Sequence, residues 1–462
     1  MDRTPAARLA SKDLGNFAPP AEPYAPWLFK IVAGWAAFLL ALVVVAGVLL
    51  LLVRGLAGLF GDAPGQLGGL GESIGNIVAL VLIFVMVTAT LLTMAERKWS
   101  ALMQDRVGPN RARLPLPGLS DRPLKGIPHI AADVLKMLFK EDFIPAGALH
   151  ERLLFTLAPL IAFAPALCLF AVVPVGPELV LFGKRMQLMV ARVDWGILYV
   201  FALASVAPFG TALAGWSSKN KLALLGGLRA SAQLVSYEVT LGLTLAGAMI
   251  TFGTVRLDAM AVEQAGEVFS ILPAWGALYQ PLGLLLFLVA AMAEIKRAPF
   301  DAPEGESEII GYFLEYSGLK SGLFLIAEFA EVVVVSGIVT AIFLGGYHIP
   351  WIEPWLLRHI GTEWTAVLQV TAFMLKTLLV IWVQFLIRWS FPRFRYDQIM
   401  RLGWKMMLPL SLANVVVSAG VFLWAGKQGL AAVGVVEWIA ILAFVALTAR
   451  KPEEPAPAAA HH

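Results

Sequence analysis

Charged residues are scarce in this chain. Only 15% of its 462 residues are Asp, Glu, Lys or Arg, whereas 59% are hydrophobic, and the mean hydropathy is +0.77. A soluble domain has about 25% charged residues, because water must solvate most of its surface. The shortage excludes an ordinary soluble multidomain protein and indicates an integral membrane protein.

Cysteine and histidine are also scarce, and both shortages limit the chemistry. Cys168 is the only cysteine, which excludes an intrachain disulfide and a cysteine-ligated metal or iron–sulfur site. No two histidines face each other within a hydrophobic run, so a haem held between two histidines is excluded. The glycine-rich stretch at 69–75 follows no predicted strand, and no Walker sequence occurs. We therefore expect this chain alone to bind no metal, nucleotide or redox cofactor.

Hydrophobic runs of the length that a bilayer requires, about 20 residues, are plentiful. Two of them contain a single charge, residues 364–387 with Lys376 and residues 428–449 with Glu437. Transmembrane β-strands would be half as long and would alternate in polarity. The sequence therefore predicts an all-α polytopic membrane protein with ten transmembrane helices. The eight uninterrupted runs cover residues 31–53, 73–95, 153–177, 195–218, 239–255, 268–293, 332–352 and 406–426.

Positive charges are distributed unequally between the two sides of the predicted bundle. If the sides alternate at each span, 27 of the 35 lysines and arginines lie on the same side as the N-terminus. The positive-inside rule then predicts that both termini lie in the cytoplasm. We expect the membrane to be a bacterial-type inner membrane. Residues 1–30 are predicted to be a flexible cytoplasmic arm without a cleavable signal.

A short amphipathic helix is predicted after the second span, at residues 133–141. Such a helix lies in the membrane interface, where it is either functional or a simple lid. The charges at 96–106 have the same two interpretations, since charges at a helix end often only anchor it at the headgroups. The polar side of the helix carries Asp133, Lys136 and Lys140, and the apolar side carries Val134, Leu135, Leu138 and Phe139.

Acidic residues are concentrated around the loop that follows the sixth predicted span. Residues 294–315 contain six carboxylates and two basic residues, against the positive charge of the other loops on that side. Close carboxylates raise one another's pKa, which suits them to hold and release protons. The seventh span is predicted to begin near Gly322, before its charge-free run, which places Glu328 and Glu331 on one helix face inside the membrane. Lys376 lies at a similar depth to Glu331 and is its candidate partner. Glu238, about one turn into the fifth span, extends the series.

Five motifs, taken in their order along the chain, closely resemble those of the H subunit of respiratory complex I, the proton-pumping NADH-quinone oxidoreductase. They are ERKWSALMQDRVGPN at 96–110, the 133–141 helix, the stretch from 215 to SYEVT at 236–240, RAPFD with EGESE at 297–308 and Glu315–Tyr316, and PRFRYDQ at 392–398. The resemblance extends over about residues 74–425, which hold eight of the ten predicted spans. The extra first span and loop (31–73) and the extra last span and tail (426–462) lie outside it.

The resemblance implies a position at the joint between the membrane arm and the peripheral arm of that complex. A quinone would enter from lipid through a chamber in this chain, while the headgroup would be bound by a neighbouring peripheral subunit. The residues that match the chamber or its mouth are Arg97, Arg106, Asp133, Lys136, Arg229, Arg297 and Arg395. Those that match the proton-coupling path are Glu96, Glu238, Glu294, Asp301, Glu304, Glu306, Glu315, Tyr316 and Glu328.

Partners also follow from the resemblance. Quinone would be a substrate shared with the peripheral subunits, which would carry the flavin and the iron–sulfur clusters, and antiporter-like membrane subunits would complete the assembly. No nucleic acid is expected as a partner.

The sequence departs from the family's pattern at two places. Ile295-Lys296 replaces the usual Thr-Asn, and Glu331 has no usual acidic counterpart. Lys296 is therefore expected to shift the titration of Glu294.

Two other functions remain open on the sequence alone. One is the homologous membrane subunit of an energy-converting hydrogenase, whose loops are typically less faithful to these motifs. The other is a free-standing ion-coupled transporter, which the buried Glu and Lys residues suggest. No loop motif occurs twice, although transporters of that kind usually contain an inverted repeat.

Overall fold

The computed structural model describes residues 48, 75–106, 108–110, 128–181, 184–186, 188–269, 271–305 and 309–448. The predicted arm, nearly all of the first span, Glu306 and the C-terminal tail lie outside these residues. In the described part almost all regular structure is helical, in agreement with the all-α prediction. Its α-helices are α1 Met86–Met103, α2 Pro128–Phe139, α3 Arg152–Cys168, α4 Gly196–Ala204, α5 Ala207–Ser217, α6 Lys221–Phe252, α7 Leu257–Glu263, α8 Gly276–Tyr279, α9 Pro281–Glu294, α10 Gly318–Phe343, α11 Glu353–His359, α12 Thr362–Ser390, α13 Tyr396–Arg401 and α14 Leu408–Thr448.

Shorter elements extend or join these helices. A π-helix, Ile77–Val85, leads into α1, and another, Leu402–Met407, joins α13 to α14. The 3-10 helices are Ala146–Glu151, Leu169–Val172 and Ala302–Glu304. Two antiparallel hairpins pair β1 (Leu179–Leu181) with β2 (Lys184–Met186), and β3 (Glu267–Val268) with β4 (Leu272–Pro273). Leu179 lies opposite Met186, and Glu267 lies opposite Pro273.

Seven helical segments in the described part are long and apolar enough to cross a membrane. The predicted sixth span is different, because its start contains the paired strands β3 and β4 and α9 begins only at Pro281. Gln280 before it has a non-helical backbone (φ −136°, ψ 61°), which separates α8 from α9. The seven segments are Ile77–Ala101, Ala146–Val172, Gly196–Ser217, Lys221–Phe252, Gly318–Phe343, Thr362–Ser390 and Tyr396–Thr448.

The last of these segments contains both of the final predicted spans. Gly426 has a left-handed backbone (φ 64°), so the helix is broken there. Asn414 donates to Gln280 Oε1, and Glu437 accepts from the Leu282 backbone N–H. A straight helix would place residues 414 and 437 about 34 Å apart, yet their partners are two residues apart. The chain therefore folds back at Gly426 into two antiparallel helices.

Small residues bring the central helices together. An added Cβ at Gly215 in α5 would lie 2.6 Å from the Ala223 carbonyl oxygen of α6, and one at Gly227 would lie 2.9 Å from the Thr211 oxygen. At Gly210 it would lie 2.7 Å from the backbone nitrogen of Ala162 in α3. Lipid provides no hydrophobic drive for helix association, so such close backbone packing is what joins the helices.

Apart from Lys296–Glu331, the ion pairs of the described residues separate into two groups at opposite ends of the bundle. Each pair joins loops that the charge tally assigns to the same side, as the predicted alternation requires. The end that carries the sequence motifs, called the motif end below, holds Arg97–Asp133, Lys219–Glu151, Arg297–Glu96, Arg388–Glu96, Lys320–Asp142 and Arg393–Asp301. The opposite end holds Arg192–Asp258, Arg256–Asp258, His348–Glu353 and Lys427–Glu263.

Candidate functional site

Two of the residues predicted to line a chamber form an ion pair between α1 and α2. Arg97 Nη1 donates to Asp133 Oδ2, at the point where the end of α1 meets the interfacial helix. Lys136 is exposed on the same helix, and Arg106 donates to Gln104 Oε1 over 2.6 Å. Leu135, Leu138 and Phe139 on the other side of α2 are 52%, 55% and 86% exposed. The helix therefore has the amphipathic character that the sequence predicted.

Two further chamber candidates lie near the start of α13. The Arg229 guanidinium of α6 lies 5.8 Å from the centre of the Tyr396 ring. Arg395, which directly precedes Tyr396, is largely exposed, and its Nε lies 3.9 Å from Asp397 Oδ1. Gln398 accepts a hydrogen bond from the Arg395 backbone N–H and so caps α13.

Arg297 lies in the interior, where it bridges several elements. Its Nη1 donates to Glu96 Oε2 over 2.9 Å, and Arg388 of α12 contacts the other oxygen of Glu96. The Arg297 side chain is only 7% exposed, and its guanidinium lies 3.9 Å from the centre of the Phe329 ring in α10. Burial lowers the pKa of Arg297, and the Glu96 carboxylate opposes that effect. Glu96 thus joins α1, α12 and the acidic loop through two arginines.

The acidic loop is held against the helices by polar contacts on both of its flanks. Gln233, fully buried in α6, donates from Nε2 to the carbonyl oxygens of Ala293 and Phe300, each over 2.8 Å. Arg393 pairs with Asp301 over 2.7 Å and also donates to the Asp301 and Glu304 carbonyl oxygens. The loop backbone is therefore held in place through its carbonyl oxygens at residues 293, 300, 301 and 304.

Glu304 at the end of this loop meets Glu328 of α10. The two carboxyl groups are within hydrogen-bonding reach of each other, and Tyr312 donates to Glu328 Oε1 over 3.0 Å. Burial raises the pKa of Glu304 well above its ordinary value, and the neighbouring Glu328 raises it further. Ionising Glu304 would place its negative charge beside the Glu328 carboxylate, which disfavours the charged form of Glu304.

Glu294 and Glu238 continue the line along α9 and α6. Glu294 is partly buried and interacts electrostatically with Glu331, Glu238 and Lys296. Glu238 is partly buried and hydrogen-bonded to the Ser205 hydroxyl at the break between α4 and α5. Glu304 therefore interacts with Glu328, and Glu294 interacts with Glu238. Lys296 and Glu331 interact with members of both pairs and so connect them.

Glu315 and Tyr316 lie on the α3 and α6 side of the loop. Asn220 Nδ2 donates to Glu315 Oε1 over 2.6 Å, and the Tyr316 ring stacks on Phe155 with centroids 4.1 Å apart. Burial raises the pKa of Tyr316 to about 12, although its contact with the Ser217 hydroxyl lowers it. Tyr316 is therefore a neutral hydroxyl at physiological pH.

Lys376 does not pair with Glu331, contrary to the suggestion made from depth. Its ammonium donates to the carbonyl oxygens of Leu344, Gly346 and His348, over 2.7, 3.0 and 2.8 Å, and so caps the end of α10 at the opposite end of the bundle. The partner of Glu331 is Lys296, 3.6 Å away. The carbonyls that Lys376 binds follow the end of α10 at Phe343, which is about 18 Å beyond Glu331 along the helix, so the estimate of equal depth was wrong.

Sequence reasoning missed four residues of this site: Gln233, Tyr312, Arg388 and Arg393. Gln233 was detectable as a lone amide in an apolar helix, and Arg393 stands within the quoted PRFRYDQ motif. Nothing in the local sequence distinguishes Arg388 from a residue that only anchors a helix end. Among the described residues no cluster of three or more His, Cys, Asp or Glu side chains has metal-binding geometry.

Comparison with known proteins gives the same family along most of the chain. The family model described as NADH dehydrogenase matches residues 76–419. An H subunit of NADH-quinone oxidoreductase from Geobacter metallireducens is 41% identical over 347 residues, which are 75% of this chain and 95% of the relative. An H subunit from Flavobacterium johnsoniae is 38% identical over 348 residues, 75% and 94% of the two chains. A NADH-quinone oxidoreductase subunit 8 from Rhodothermus marinus is 40% identical over 348 residues, 74% and 95% of the two chains.

Proposed function

The chain belongs to the H-subunit family of NADH-quinone oxidoreductase, and we propose that within this complex it forms the membrane wall of a quinone chamber and couples quinone reduction to proton transfer. As a member of the family it is a multi-pass membrane subunit of a larger assembly. The proposal places it in a bacterial cytoplasmic membrane with both termini in the cytoplasm.

The observation that supports coupling most directly is the position of Glu96. This residue is adjacent in sequence to Arg97, which pairs with Asp133 of the interfacial helix, and it binds Arg297 of the acidic loop. The Arg97–Asp133 pair and the Glu96–Arg297 pair therefore originate from consecutive residues of α1, which would let a change of charge at the chamber mouth act on the acidic loop. In a desolvated site such interactions are stronger than in water.

The chemistry requires protons from this chain and electrons from elsewhere. Reducing a quinone to a quinol consumes two electrons and two protons, and the electrons would arrive from flavin and iron–sulfur subunits of the peripheral arm. Arg97, Arg106, Asp133, Lys136, Arg229 and Arg395 would surround the entering quinone, with Arg297 behind them. Negative charge on the quinone favours proton uptake by nearby carboxyls, and the pair Glu304 and Glu328 passes that change to Glu294 and Glu238.

Purification of the assembly containing this chain tests the proposal. We expect flavin and iron–sulfur subunits to copurify and the complex to reduce quinone with NADH. Arg97→Met should raise the KM for quinone several-fold while changing stability by less than about 1 kcal/mol, because the exposed pair with Asp133 contributes little to folding. Arg358→Met, an exposed arginine at the opposite end, is the matched control.

Three results would contradict the proposal. Copurification with a hydrogenase and no quinone reduction would favour the hydrogenase alternative. Recovery of the chain alone as an active ion carrier would favour the transporter. An unchanged KM for quinone in Arg97→Met would remove that residue from the chamber.

A further inference from the structure

A buried ion pair of opposite charges lies beside the line of carboxylates. Lys296 Nζ is 3.6 Å from Glu331 Oε2, and the two side chains are 4% and 12% exposed. This distance exceeds that of a hydrogen bond, so the contact is mainly between charges. Burial lowers the pKa of Lys296, but the carboxylates around it raise the pKa by more, so the ammonium stays charged.

The backbone directs the Lys296 side chain into this position. Lys296 has a left-handed backbone (φ 59°), which residues other than glycine rarely adopt. It directly follows Ile295, the first residue after α9, and it precedes Arg297, whose guanidinium is bound by Glu96. Lys296 keeps this unfavourable backbone conformation because the residues on both sides of it are held in place. Such strained residues are concentrated at functional sites.

Lys296 is also electrostatically coupled to the carboxylates of the path itself. It interacts with Glu294 on its own helix end, with Glu304 in the loop and with Glu328 on α10, in addition to Glu331. Glu331 in turn interacts with Glu328 and Arg297, and it acts on Glu294 and Tyr312. The remaining charged groups that act on this cluster, through Arg297 or Glu294, are Glu96, Arg388 and Glu238.

We propose that Lys296 and Glu331 form an internal counter-charge pair that sets the pH at which the acidic path takes up and releases protons. This inference rests on the proposed function, since it describes the regulation of that path. Lys296 is a positioning residue: it attracts the ionised carboxylates and so lets them release protons at lower pH. Glu331 neutralises part of that attraction and repels its neighbours, so the two residues have opposite effects.

The test measures proton translocation driven by NADH and quinone in vesicles that contain the intact complex, as a function of pH. Lys296→Met should shift the alkaline limb of the profile upward by about 1 pH unit or more, because the path then keeps its protons to higher pH. Glu331→Gln should shift it downward. The double variant should return close to the wild-type profile, and Lys296→Arg, which keeps the charge, should not shift it.

Lys427→Met is the matched control, because Lys427 pairs with Glu263 at the opposite end of the bundle and so loses the same charge far from the path. A purely structural role for Lys296 predicts equal losses at every pH and no opposite shifts. Shifts in the same direction, no shift in either variant, or a double variant displaced as far as the single ones would overturn the inference.

Accumulation in the membrane provides a second readout. Removing one partner of a buried pair leaves an uncompensated charge, whereas removing both is often tolerated. If Lys296→Met does not accumulate, its recovery in the double variant supports the pair, and continued absence overturns it. Failure of the wild-type complex to translocate protons would instead contradict the proposed function.

Discussion

Single carboxyl groups in this chain differ in how strongly the fold holds their protons. Glu304 is the clearest case outside the membrane spans, since both its burial and the adjacent Glu328 favour the protonated form. Its pKa in the folded protein therefore exceeds the unfolded value of about 4.3. The stability that it contributes is fully present below that value and is lost as the pH rises through the folded pKa.

Replacing Glu304 with Gln should remove this pH dependence, because the amide keeps the neutral form at every pH. We expect the melting temperature of the purified complex to fall in the wild type as the pH rises above the unfolded value of about 4.3, and to fall less in Glu304→Gln. Each pH unit of that rise corresponds to at most about 1.4 kcal/mol of stability. Glu267→Gln, an exposed carboxyl at the opposite end, should follow the wild type, and identical slopes in all three proteins would contradict the assignment.

The sequence identified which charged residues are buried better than it identified which residue each of them contacts. Glu331 and Lys296 both stood out in the sequence, but their contact depends on the rotation of α10 and on the left-handed backbone at Lys296. Lys376 is just as conspicuous in sequence, yet it binds backbone carbonyls at the other end. Charge and burial can be read locally, whereas the choice of partner depends on helix packing.

Among the elements, the final helical hairpin extends the bundle beyond the residues matched by the family model. Its second half contacts α8 and α9: Trp438 donates to the Ala277 carbonyl oxygen, and Glu437 accepts the Leu282 N–H at the start of α9. That N–H has no partner within its own helix, so Glu437 caps it. Because α9 ends at Glu294, the hairpin helps to fix the helix that carries a residue of the path.

Gly434 makes this docking possible and offers a direct test. A Cβ added there would lie 1.8 Å from the Leu278 carbonyl oxygen, so Gly434→Ala should destabilise the hairpin by about 1–3 kcal/mol. Gly420→Ala in the same element meets nothing within 4 Å and should be neutral or stabilising by about 0.5–1 kcal/mol. Gly434→Ala should therefore be cleaved faster by protease in the segment after Gly426 and should unfold at a lower temperature than Gly420→Ala. Equal cleavage rates and equal unfolding temperatures in the two variants would contradict the docking of this helix.

The gaps between charges predicted the existence of the helices well and their ends poorly. Charges near a helix end can remain inside the helix while their long side chains reach the headgroups, so α6 begins at Lys221 and not near Val239. The predicted span at 268–293 was wrong in its first half, because hydrophobicity alone does not distinguish a hairpin and a broken helix from a continuous one. The break at Gly426, by contrast, lies where the sequence placed the boundary.

Across the described part of the molecule, the charged residues lie mainly at the two ends of the helical bundle. At the motif end, a series of acidic residues leads from the surface into the membrane interior. The motif end contains the ion pairs of Arg97, Arg297 and Arg393, and the acidic line runs from its loop to α6 and α9. Buried charges in lipid are costly, so a connected series of them indicates a function and not packing alone. This series supports our proposal that the chain couples quinone reduction to proton movement.

The most direct test is the number of protons translocated per NADH oxidised, measured in vesicles with the Glu294→Gln and Glu238→Gln complexes. Both variants should assemble, since each replacement keeps the shape of the side chain, and Glu267→Gln serves as the control. We predict that both lose quinone-driven proton translocation while the control keeps the wild-type ratio. A wild-type ratio in both variants would contradict the coupling role of this chain.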